Sequence, residues 1–206
     1  MPKMDLLCLA NSWKSGGRCV AGIRVDDGSW IRPVSETQDG ELSPDQCTMD
    51  IGRQVRPLDV VRIYVGEADP RPHQPENWRV TDRQWRLRGH LSLHDAKGTL
   101  KRALETHKSG IFGTSTDRVS SWAEGTKSSL TLVKATSPVF QWGSKPRQKR
   151  AVFRHGGTTY DLVMTFEDAP PVGQSQSKWY FTISLGEPFH GSCYKLIAGA
   201  IEVPPR

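Results

Sequence analysis

The groups in this chain best suited to chemistry are arginines set between tryptophans. In "NWRVTDRQWRLRGH" (77–90), Arg79, Arg83, Arg86 and Arg88 are interleaved with Trp78 and Trp85. Indole rings stack on nucleobases and guanidinium groups neutralise phosphates, so this mixture suits single-stranded nucleic acid. Read as one strand, Arg79, Arg83 and Trp85 share a face while Arg86 and Arg88 share the other. The plainer alternative is a half-buried strand in which Trp78 fills core and the arginines are solvated.

Three further stretches invite the same question. "WGSKPRQKRAVFR" (142–154) carries Lys145, Arg147, Lys149, Arg150 and Arg154 without one acidic residue. Gly143 and Pro146 make it a loop at a barrel rim, an electrostatic contact for phosphates. In "GSWIRPVS" (28–35), Trp30 and Arg32 are two apart and share a strand face, and Pro33 ends the ladder by removing a donor. Arg32 then meets either a phosphate or an internal carboxylate such as Asp59, with Trp30 as base platform or core lid. "ANSWKSGG" (10–17) places Asn11, Ser12 and Lys14 beside two glycines, as a phosphate-cradling loop or a plain hairpin. It lacks the spacing of a P-loop. Asn77 in "QPENW" (74–78) offers a nucleotide-edge contact or simply fixes a Pro-bounded turn.

Catalysis finds no support. His90 and His94 stand four apart, but spacing places no third metal ligand. His190 and Cys193 lie too close in a Gly-containing turn for a thiol and its base. Asp26 and Asp27 read as turn chemistry. No nucleophile, base and orienting group emerge together, so no catalytic residue, cofactor or metal is expected. The cysteines, Cys8, Cys19, Cys47 and Cys193, show no C-x-x-C spacing and read as reduced thiols.

These residues need a scaffold. The chain has 206 residues, 36% hydrophobic and 24% charged, with a net charge of +6. That composition is ordinary for a globular protein, and the moderate positive excess fits contact with a polyanion. No apolar run approaches the roughly 20 residues that span a bilayer, and the start is too short in apolar residues for a secretory signal, so a cytoplasmic protein without membrane partners is expected. Strand patterns cover 6–12, 18–25, 58–65 and 78–87, and Asp27-Gly28 suggests a type I′ hairpin within 23–34. A helix is expected over 95–110, with Asp95 as cap and Gly110 as stop, and a second, short one over 116–125. Strand patterns then return at 129–135, 150–155, 158–166, 178–186 and 194–203. The layout predicts an all-β protein of two OB-like small Greek-key barrels, 1–92 and 127–206, joined by a helical connector over 93–126.

"CLANSWKSGGRCVAG", "WIRPVS", "QPENW" and "ISLGEPFHGSCYKLIAGAIE" occur in that order between about residues 6 and 202. Together they resemble the bacterial family of dual OB-containing domain proteins. The resemblance implies two OB barrels in one unit and supplies no catalytic residues. OB barrels often bind oligonucleotides, but a fold does not fix a function. The expectation is therefore non-catalytic binding of nucleic acid, single-stranded in preference, or of a nucleotide-containing ligand. Trp30, Trp78 and Trp85 would stack on bases, and Arg32, Arg79, Arg83, Arg86 and the 145–154 cluster would hold phosphates. The competing class is an interaction module that docks on a partner enzyme, its exposed tryptophans serving as interface anchors. A small hydrolase or nucleotide-modifying enzyme is a third reading.

Overall fold

In the computed structural model, which describes residues 2–14, 16–120 and 128–205, the chain divides into two units, Met1–Ala103 and Leu104–Arg206. The first begins with β1 (Lys3–Lys14), whose Met4, Leu6 and Cys8 recur at the strand period and point into one core. It pairs antiparallel with β2 (Gly17–Arg24), and β2 pairs antiparallel with β3 (Trp30–Val34). The chain returns through a long connection to β4 (Asp59–Ala68), then β5 (Asn77–Val80) and β6 (Arg86–His90). β3 and β5 run parallel, β5 joins β4, and β4 joins β1, which closes a barrel in the order β1-β2-β3-β5-β4. That is the five-stranded Greek-key path of an OB barrel. Val20, Ile31, Val61, Ile63, Val65 and Trp85 fill its interior.

The second unit repeats the pairing pattern. After a 3-10 turn at Ile111–Gly113 come β7 (Arg118–Ser120), β8 (Leu130–Thr136), β9 (Val139–Trp142), β10 (Lys149–His155), β11 (Thr158–Met164), β12 (Gly173–Gln174), β13 (Lys178–Leu185) and β14 (Ser192–Val203). β9, β10 and β11 form an antiparallel meander, β11 and β14 are parallel, and β13 joins β14 to β8. β8 and β9 together stand where β1 stands in the first unit, split at Ser137-Pro138. Its core is more aromatic, with Phe140, Phe153, Tyr160, Trp179 and Phe181 in mutual ring contact.

Several local expectations change. The stretch 78–87 is not one strand: β5 ends at Val80 and β6 starts at Arg86. The helix α1 covers Leu93–Arg102, capped by Ser92, whose hydroxyl accepts the Asp95 N–H. It stops well before Gly110, because Leu104 and Glu105 leave it to bridge Leu132 of β8. The short helix expected over 116–125 is β7 as far as Ser120, paired with β14; the rest of that stretch lies outside the described residues. Between β2 and β3, Gly28 has a positive φ but Asp27 does not, so a longer turn replaces the type I′ hairpin. There the Asp27 carboxylate accepts from the Ser29 N–H and hydroxyl.

The fully buried Asp59 ties the long connection to the barrel. Its carboxylate accepts from Arg53 at 2.6 and 3.0 Å, from the Arg56 N–H at 3.0 Å and meets His90 Nδ1 at 2.9 Å. Burial pushes its pKa up, but the hydrogen bonds from Arg53, His90 and Arg56 outweigh that and hold it below the usual 3.8. The unfolded chain therefore takes the proton first as the pH falls. Its stabilising contribution is complete above 3.8 and is lost as the pH drops through the folded value. Asp59→Ala is expected to cost about 2 kcal/mol near neutrality, by leaving Arg53, the Arg56 N–H and His90 without their acceptor, and distinctly less in acid. Urea unfolding at about pH 7 and about pH 3 checks this; an equal cost at both would contradict it.

Candidate nucleic-acid interface

The structure separates the residues that the sequence groups together. Arg32 lies inside the first unit, its guanidinium 3.3 Å from Glu76 and 3.2 Å from the Cys19 sulfur. Its carboxylate partner is thus Glu76 of "QPENW" and not Asp59. Asn77 is fully buried and donates to Gln74, and Trp85 is 1% exposed in the barrel core. Neither presents a surface to a base, which corrects their expected roles. Trp30 and Trp78 are half-buried, the latter packed on the barrel core. Arg79 stands between Glu67 and Asp69 at 3.8 and 3.6 Å, so its charge is largely compensated. Arg83 caps the Tyr64 ring at 4.0 Å, and Arg86 is exposed on β6.

Asn11, Ser12 and Lys14 belong to β1, not to a loop. Asn11 donates to the Val55 carbonyl at 2.8 Å, Ser12 is buried and donates to the Cys19 carbonyl, and Lys14 donates to the Asp39 carbonyl. These contacts bind the hairpin to the long connection. The phosphate-cradle expectation loses its geometry there, because the donors point into the protein.

Two exposed tryptophans that the sequence reading passed over occupy equivalent places in the two units. Trp142, 60% exposed, is the last residue of β9, and the register sets it opposite Lys149, whose Nζ lies 5.6 Å from the ring centroid. Trp13, 43% exposed, is opposite Arg18 near the end of β1, with the guanidinium 3.8 Å above its ring. Each cation steadies an indole at the mouth of the first hairpin, the loop region through which OB barrels engage oligonucleotides. A shared pattern was readable: Trp followed two places later by Ser, then a glycine or proline turn and a basic residue, at "WKSGGR" and "WGSKPRQK".

The second hairpin is the more strongly basic. Its turn is closed by the Gly143 N–H donating to Gln148 and the Gln148 N–H donating to Lys145. Arg147 takes a left-handed φ of 59°, and both Lys145 and Arg147 are exposed at the tip. Of the remaining expected cations, Arg154 is exposed on β10 and the other two are engaged. Lys149 donates to the Ala169 and Pro170 carbonyls at 2.8 and 3.0 Å, and Arg150 pairs with Asp161 at 2.7 Å. The site therefore consists of one indole with two exposed cations, on a rim held in place by two more. Among the described residues no group of His, Cys, Asp or Glu is arranged to hold a metal, and no helix is long and apolar enough to cross a membrane.

Comparison with solved structures finds a HINa domain of Ifi202 in complex with 20 bp dsDNA, at 6% identity and a TM-score of 0.42, covering 98% of this chain and 95% of that one. A murine DNA-binding protein bound to dsDNA gives 9% identity and a TM-score of 0.39, covering 98% of each chain. Comparison with curated proteins gives no match. The DuOB family, described as a dual OB-containing domain, matches residues 4–200. The closed barrel and its repeated strand path agree with that match: the chain belongs to the dual OB-containing domain family.

Proposed function

We propose that this protein binds nucleic acid through its first-hairpin tryptophans, single strands in preference to duplex, and acts as a binder without catalysis. The observation that carries the reading is Trp142 exposed beside Lys145 and Arg147 on an acid-free turn. An indole recognises any base with a free π-face, and bases in a duplex already stack on each other. The flanking cations supply the sequence-independent attraction to phosphate. Trp13 with Arg18 is the weaker counterpart, since Arg18 is largely buried. A nucleotide-containing small ligand would use the same indole with fewer phosphate contacts. The docking reading rests on another residue, Phe189, 60% exposed on the β13–β14 turn and in edge contact with His190 at 4.2 Å.

Fluorescence anisotropy with labelled single-stranded DNA, single-stranded RNA and a duplex, at two salt concentrations, tests the proposal. Single strands are expected to bind more tightly. The logarithm of affinity should fall with the logarithm of salt by about 0.7 per phosphate contacted. Trp142→Ala is expected to weaken binding about tenfold or more, and Lys145→Ala with Arg147→Ala to flatten the salt slope by about 1.4. No binding at low salt, or a salt-independent affinity, would instead favour docking. Arg32→Met separates structure from contact: its loss strands the buried Glu76 and should lower the unfolding midpoint while leaving the affinity of the folded protein unchanged.

A further inference from the structure

The second unit contains a cavity whose charge is opposite to that of the hairpin. It measures about 420 Å³, within the range of small-ligand sites, roughly 300–1,000 Å³. Phe140, Phe166 and Trp179 wall it, the prolines of 170–172 form its lip, and its only charged lining residues are Asp168 and Glu202. Both carboxylates are exposed, and no lysine or arginine among the described residues pairs with either. Glu202 accepts a hydrogen bond from the Ser177 hydroxyl at 2.6 Å. The chain carries a net charge of +6, yet this rim is acidic.

The walls are fixed by bonds of the protein itself. The Trp179 indole N–H donates to the Ser175 hydroxyl at 2.8 Å, and the Ser175 N–H donates to the Pro138 carbonyl at 2.9 Å. β12 pairs with β9, and Lys149 holds the carbonyls of Ala169 and Pro170. The cavity is thus preformed, and a ligand need not supply the ordering of its walls.

We propose that this cavity is a binding site for an alkylated ammonium ion. Aromatic walls attract a cation through their ring quadrupoles, and the two carboxylates supply Coulomb attraction. A bare ammonium would lose strong hydration on entry, whereas an alkylated one is weakly hydrated and presents apolar surface to the walls. Phosphate is repelled by the same carboxylates, so this site is separate from the nucleic-acid surface and does not depend on it.

Titration calorimetry with choline and with its uncharged isostere, in which carbon replaces nitrogen, tests the assignment on the full chain. Choline is expected to bind saturably with a Kd of about 1 mM or tighter, and the isostere at least about tenfold more weakly. Asp168→Asn with Glu202→Gln should weaken choline about tenfold or more and leave single-stranded DNA binding intact. Both residues are exposed, and glutamine can still accept from Ser177, so this double variant should remain folded. Trp142→Ala should show the reverse pattern, with choline binding unchanged. Equal binding of choline and isostere, insensitivity to the double variant, or no heat of binding from choline would each overturn the proposal.

Discussion

Each unit can close only if its first strand serves two partners, one along its first half and another along its second. A straight strand cannot do this in so narrow a barrel, and the two units solve the problem differently. In β1 an extra residue at Leu9 bulges the ladder between Cys8 and Ala10, and the opposite strand comes very close at Gly22. A β-carbon on Gly22 would lie 2.2 Å from the Leu7 carbonyl oxygen, so only glycine fits. In the second unit the strand is cut at Ser137-Pro138. Ser137 takes a φ of 48° and donates its N–H to Ser177, and Pro138 has no N–H to lose. Either way the second half of the strand is redirected to the hairpin, and the last outward residue before the turn is a tryptophan. Barrel closure therefore sets the position of the two exposed tryptophans.

The positive charge of the chain is distributed in a way that counting cannot reveal. Arg32 and Arg53 neutralise the buried Glu76 and Asp59, and Arg150 answers Asp161. Lys195, 2% exposed, spends its ammonium on the Thr114 carbonyl and hydroxyl and the Thr116 carbonyl, closing the segment before β7 onto β14. Burial lowers its pKa to about 8, opposed in part by Glu105 and Asp117. A buried cation of this kind fixes a loop and is out of direct reach of a phosphate. The cations able to meet a phosphate are accordingly fewer than the composition suggests, and Lys145 and Arg147 are prominent among them.

How much of this was legible follows from the range of each interaction. The strands and the ordered motifs of the two barrels are written locally, in alternation and turn residues, and they emerged from the sequence. The 77–90 stretch misled because arginine and tryptophan alternate there in a way that mimics one strand. The chain turns after Val80, which sends Trp85 inward and disconnects it from Arg79. The partners of Arg32 and Asp59 were equally invisible. Arg32 and Glu76 are 44 positions apart, and His90 lies 31 positions from Asp59. Nothing in local pattern reports such pairings. Trp13 and Trp142 were readable in principle, but only after the two hairpins had been recognised as equivalent, and that equivalence resides in strand pairing more than in residue identity.

Cations that are neighbours in sequence are held very differently in the second unit. Lys149 has three N–H donors and gives two of them to the carbonyls of Ala169 and Pro170, while its Nζ remains 5.6 Å from the Trp142 ring. It is thereby anchored on one side to the lip of the acidic cavity and on the other to the indole. A side chain so constrained cannot follow a mobile phosphate backbone; it positions. Lys145 and Arg147 sit on a turn with open surroundings and can reorient with a ligand, which is what sequence-tolerant contact with phosphates requires. Lys149 thus ties the Trp142 end of β9 to the segment that carries the cavity's prolines, within the second unit.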